Sequence, residues 1–146
     1  MAVVVGDISG HGIQGAILST KLKHIDTWNA ARIQVAEKYH KHLSKVSALT
    51  CPTQSSSTKH VYHIYAVRVP DRESFMAALS EKKITTAIHY PVPIHLQEAY
   101  DYLKIPKGSY PVAEKSSQEV VSLPMYPELT PTQIDHVTTT IKKYLS

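Results

Sequence analysis

Two short proline-locked blocks limit what this chain can fold into more than any other feature. They are His89-Tyr90-Pro91-Val92-Pro93-Ile94-His95-Leu96-Gln97 and Ser122-Leu123-Pro124-Met125-Tyr126-Pro127-Glu128-Leu129. Proline supplies no backbone donor and pushes the residue before it into extended geometry. Pro91 and Pro93 therefore end any strand that reaches Tyr90, and Pro124 with Pro127 impose an irregular turn. His89, Tyr90 and His95 fall where a strand end meets a stiffened loop, a place that presents polar side chains to a cleft. The same side chains can instead hydrogen-bond the loop and close the core, and the residue pattern leaves both readings open.

Around these blocks the apolar spacing predicts short elements. From residue 13 to about 46, Ile17, Leu18, Leu22, Ile25, Trp28, Val35, Ala36, Tyr39, Leu43 and Val46 recur at three- and four-residue steps, which predicts a long amphipathic helix with a break near Asp26-Thr27. The run Cys51-Pro52-Thr53-Gln54-Ser55-Ser56-Ser57-Thr58 reads as an exposed loop. Residues 60–69 read as a strand with Val61, Tyr65, Val67 and Val69 on one face, ended by Pro70. Asp71 caps a helix reaching Lys83, and residues 84–90 return as a strand. A helix is expected around residues 96–103, and another from Pro111 that includes Ala113, Val120 and Val121. Thr130, Pro131 and Gln133 form a capping box ahead of Ile134, Val137, Ile141, Tyr144 and Leu145. The expected fold class is α+β, an α/β sandwich in which a small few-stranded sheet is flanked by helices.

A length of 146 residues suits one ordinary domain, and 42% hydrophobic with 19% charged residues is globular composition. No apolar run approaches the roughly 20 residues that a membrane span needs. The net charge of +4 is dispersed, with Lys38, Lys41 and Lys45 beside Glu37 and with Lys82-Lys83 and Lys142-Lys143 near helix ends. This distribution favours solvated faces over nucleic-acid binding. The single cysteine, Cys51, allows no internal disulfide and fits a reducing cytoplasm. Nine histidines raise the question of metal. His60 and His63 lie three apart on a predicted strand and point to opposite faces, His40 and His42 diverge on a helix, and no metal site is expected.

Gly12-Ile13-Gln14-Gly15-Ala16-Ile17-Leu18, then Lys21-Leu22-Lys23-His24-Ile25-Asp26-Thr27-Trp28-Asn29, and Lys59-His60-Val61-Tyr62-His63-Ile64-Tyr65 join the two blocks in one ordered series. The series resembles the carboxy-terminal part of the DegT/DnrJ/StrS family of pyridoxal-phosphate-dependent nucleotide-sugar aminotransferases, over residues 12–143. The resemblance implies the small domain of an aspartate-aminotransferase-like fold, with residues 13–146 forming that domain and its leading helix, and residues 1–12 a segment of uncertain origin. In the complete family a larger domain holds pyridoxal phosphate, and active sites lie at a homodimer interface. The Schiff-base lysine precedes the helix that begins near Gly12, so the resemblance assigns no catalytic residue here. Family members carry an asparagine and an arginine that reach the partner subunit's cofactor phosphate, and these places fall on Asp7 and Ser9. A carboxylate and a hydroxyl disfavour a dianionic phosphate where an amide and a guanidinium would attract it. His89, Tyr90 and His95 match the family's strand-end motif and are implied to lie near the substrate.

By this resemblance the complete protein would move an amino group from an amino acid, commonly glutamate, to a keto-sugar nucleotide in the cytoplasm, as in polysaccharide biosynthesis. The 146-residue chain alone is expected to bind no pyridoxal phosphate and to be inactive. The alternative is an interaction module that forms a homodimer or docks on a full-length homologue. A further reading comes from Val5-Gly6-Asp7-Ile8-Ser9-Gly10-His11-Gly12, which resembles a signature of metal-dependent serine/threonine phosphatases, where a carboxylate on a glycine-rich turn joins a two-metal site.

Overall fold

The computed structural model describes residues 13–146, and its first third resolves the long apolar periodicity into α1 (Ile13–Leu22) and α2 (Ile25–Leu43). The break falls at Lys23-His24 rather than at Asp26-Thr27. His24 takes the N-cap place of α2, which leaves Asp26 in the first turn, where a carboxylate complements the helix dipole. α2 buries Val35, Ala36, Tyr39 and Leu43. The earlier part of the periodicity behaves differently, because Ile17, Leu18, Leu22 and Ile25 are all exposed. Their spacing is helical, yet the described residues do not cover them.

Two strands make the sheet. β1 (Tyr65–Arg68) runs antiparallel to β2 (Val120–Leu123), with Tyr65 opposite Leu123 and Arg68 opposite Val120. Single bridges add one rung beyond each strand, Thr50 to Arg68 and Ala87 to Ser122. Tyr65, Val67 and Val69 are buried in the alternation that the sequence predicts. The predicted strand over residues 60–69 pairs only in its second half. Tyr62 takes a φ of 48° and its N–H donates to His60 Nδ1, so the backbone turns before the ladder begins.

Three other expectations are corrected. The strand over residues 84–90 contracts to the Ala87 rung, where Ala87 and Ser122 exchange both backbone hydrogen bonds before the prolines intervene. The helix around residues 96–103 is instead two 3-10 turns, Ile94–Leu96 and Glu98–Leu103, ended by Lys104 at a φ of 51°. The next helix, labelled α4 here (Pro111–Glu119), stops before Val120 and Val121, which open β2. Their β-branched side chains suit the ladder, and Val121, opposite Val67, is fully buried.

The helix starts follow the sequence closely. α3 (Arg72–Glu81) begins with Asp71 accepting from the Ser74 N–H at 3.1 Å. α5 (Pro131–Leu145) carries the full reciprocal box: Gln133 N–H donates to the Thr130 hydroxyl oxygen and Thr130 N–H donates to Gln133 Oε1. Such caps are each worth about 1 kcal/mol. α5 packs on α2 and α3, and α3 packs on β2. Phe75, Leu79, Ile134, Ile141, Leu43 and Val67 meet between them, none more than 1% exposed. The architecture is α+β, a two-stranded sheet flanked by helices.

Candidate functional site

A groove of about 590 Å³ opens between the proline-locked segment and α4. It brings together His89, Tyr90 and His95, the three side chains singled out by the sequence. Their roles differ. His89 Nδ1 lies 2.9 Å from Ser122 Oγ, so the buried serine of β2 fixes the imidazole to the sheet. Tyr90 stacks its ring edge-on with His89 at 5.8 Å and is 75% exposed. A phenol so presented closes no core. His95 is buried, with Nε2 3.0 Å from Glu114 Oε1 and its ring edge-on to Tyr110 at 4.9 Å.

Glu114 is the residue that sequence reasoning missed. Its carboxylate is buried beneath the groove and gathers hydrogen bonds from three donors. The Gly108 N–H reaches both oxygens, at 2.8 and 2.9 Å, and the Tyr110 N–H donates to Oε1 at 3.2 Å. An ionised carboxylate only accepts, so His95 Nε2 carries the proton in the third bond. The available signal was a lone acid in the first turn after Pro111, but such residues ordinarily serve the helix dipole.

Burial by itself would raise the Glu114 carboxyl, but the bonds from the Gly108 and Tyr110 N–H groups, and then His95, outweigh it and hold the group below its ordinary value of 4.5. A depressed folded value means that the carboxylate stabilises the fold fully above the unfolded value. That contribution disappears as pH falls through about 4.5 toward the lower folded value. In an NMR acid titration the Gly108 and Tyr110 amide resonances are expected to move on one curve with its midpoint below 4.5. A midpoint above that value would contradict the arrangement.

The rest of the groove is mainly apolar, with Val92, Ile94, Leu103, Ile105, Ala113 and Val120 in its walls beside Gln97, Ser116 and Ser117. No lysine, arginine or carboxylate lines it, and the adjoining Glu114 carboxylate is committed to His95 and the neighbouring loop. These residues do not fit a resident pyridoxal phosphate, because they supply no lysine for its aldehyde and no lysine or arginine for its phosphate charge. Among the described residues, no group of three or more histidine, cysteine, aspartate or glutamate side chains could hold a metal ion. No described helix is long and apolar enough to cross a membrane. Asp7, Ser9 and the phosphatase-like run 5–12 lie outside the described residues.

The DegT/DnrJ/EryC1/StrS aminotransferase family matches residues 11–142. The chain is 39% identical over 130 residues to the erythromycin biosynthesis sensory transduction protein EryC1 of Saccharopolyspora erythraea, covering 89% of this chain and 36% of that protein. It is 38% identical over 132 residues to the dTDP-3-amino-3,6-dideoxy-alpha-D-galactopyranose transaminase of Aneurinibacillus thermoaerophilus, covering 90% of this chain and 36% of that one. The crystal structure of S. venezuelae DesV in complex with a ketimine intermediate superposes with a TM-score of 0.88 at 34% identity, over 91% of this chain and 36% of DesV. The chain thus spans about a third of the length of these relatives. With the family matched from residue 11 to residue 142 and the fold shared with DesV, the chain belongs to the DegT/DnrJ/EryC1/StrS aminotransferase family.

Proposed function

We propose that residues 13–146 are the carboxy-terminal small domain of a sugar aminotransferase-like protein, and that the groove forms the substrate-facing wall of its active site. The complete protein would use pyridoxal phosphate to move an amino group from an amino acid to a keto-sugar nucleotide. The observation that carries this reading is the convergence of His89, Tyr90 and His95 on one groove in a chain that superposes on a sugar aminotransferase relative. Exposed Tyr90 and sheet-anchored His89 would contact the sugar nucleotide, and buried His95 would hold the groove wall in place. Schiff-base formation and phosphate binding would fall to the part of the protein that this chain does not represent, since the groove offers no cation of its own.

The decisive experiment joins residues 13–146 to the part of DesV that they do not match. With pyridoxal phosphate, glutamate and a keto-sugar nucleotide, the joined protein is expected to transaminate and the 146-residue chain alone is not. A folded but inactive joined protein, or transamination by the chain alone, would overturn the assignment.

A second reading, an interaction module, is favoured by a specific observation. Ile17, Leu18, Leu22 and Ile25 leave an apolar stripe exposed along α1 and the start of α2, a surface of the kind that another domain or a second copy covers. Under this reading the chain pairs with itself or docks on a full-length homologue through that stripe.

A further inference from the structure

We propose that Glu114 is the latch of the groove, a positioning residue whose carboxylate fastens both ends of the segment 94–110 to α4, so that its loss opens the groove while the core stays folded. The hydrogen bonds of that segment are otherwise local. Leu96 N–H donates to the Pro93 carbonyl, Gln97 N–H to Ile94, Tyr100 N–H to Gln97, Lys104 N–H to Asp101 and Ser109 N–H to Pro106. Among the described residues, the one backbone bond that leaves the segment toward α4 is the opening turn of that helix, where Glu114 N–H donates to the Tyr110 carbonyl.

Packing does not compensate for this sparse bonding. His95 is the sole buried side chain between residues 94 and 110, while Ile94, Tyr102 and Leu103 are 68%, 72% and 48% exposed. Against that background the Glu114 carboxylate takes His95 from the beginning of the segment and the Gly108 and Tyr110 amides from its end. One side chain thereby closes a loop whose ends are fifteen positions apart in sequence. Gly108 supports the geometry with a φ of 94°, a conformation that costs glycine little. Ile94, His95, Leu103, Ile105 and Tyr110 of this segment also line the groove, so the latch sets its width. The inference concerns this chain itself and holds whether or not the groove receives a sugar nucleotide.

The test is amide hydrogen exchange on the 146-residue protein, comparing wild type with Glu114→Ala and Glu114→Gln. In Glu114→Ala the Gly108 and Tyr110 amides are expected to exchange roughly 30-fold faster or more, while amides in β1 and α5 change by less than about threefold. Glu114→Gln keeps one acceptor oxygen and loses the charge, and should fall between wild type and Glu114→Ala. Unchanged exchange at Gly108 and Tyr110 would overturn the proposal. So would equal acceleration in β1 and α5 in both variants, which would make Glu114 a general stabiliser rather than a local latch.

Discussion

Replacing Phe75 with alanine is expected to lower the stability of the fold by about 3–5 kcal/mol, read as a large fall in the urea midpoint followed by far-UV circular dichroism. Phe75 is completely buried on α3, at the meeting point of α3, α5 and β2. Its ring also meets Tyr144 of α5 edge-on, with centroids 6.0 Å apart. Alanine removes the apolar transfer energy of the ring and leaves a cavity between helices that are themselves tied by capped starts, so the walls have little freedom to collapse. A typical domain has only about 5–15 kcal/mol in total, so the loss is a large fraction of the margin. A fall below about 1 kcal/mol would mean that α3 repacks freely and that the core is not the rigid unit described above.

Tyr39 should show an effect of similar size with a separable polar part. The ring is fully buried on α2 and lies 5.1 Å from the ring of Tyr65, while its hydroxyl donates to the Pro124 carbonyl at 2.9 Å. Tyr39→Ala removes packing and hydrogen bond together and is expected to cost about 3–5 kcal/mol. Tyr39→Phe retains the ring and leaves the Pro124 carbonyl without its donor, for an expected loss of about 1–3 kcal/mol. Burial, and secondarily the nearby Tyr126, pushes the phenol far above its usual value, so the group remains a donor throughout neutral and moderately alkaline pH. The difference between wild type and Tyr39→Phe is thus expected to be flat from about pH 6 to pH 9 in paired denaturant titrations, and a pH-dependent difference would contradict the buried donor. Pro124 directly follows β2, the strand whose Ser122 holds His89, so the Tyr39 bond also steadies the carboxy-terminal end of that strand.

What could be read from the sequence was what short-range chemistry decides. Asp71 with Ser74 and Thr130 with Gln133 are three-residue relationships, and both caps are found where the sequence places them. The family resemblance held for the same reason at larger scale, because ordered motifs over most of the chain specify more than any one of them. The sheet was harder. Val120 and Val121 continue an apolar helical pattern, and what makes them a strand is pairing with residues 67 and 68, far away in sequence. The prolines exposed the groove by marking His89, Tyr90 and His95, but they could not reveal Glu114. Its partners come from a loop whose path follows no periodicity. The exposed stripe of α1 shows the complementary limit, since helical spacing identifies an apolar face without saying whether this chain covers it.

The pairing of β1 with β2 is closed by a long excursion through α3, the groove segment and α4. Loop closure grows only slowly more costly with length, about 0.6 kcal/mol for each doubling. Between Leu96 and Gly108 no side chain is buried, and the two ends of that stretch converge on a single carboxylate. Insertions or deletions there would change the depth and outline of the groove while leaving strand register and core untouched. The same scaffold could therefore be refitted to differently shaped ligands by changing loop length alone.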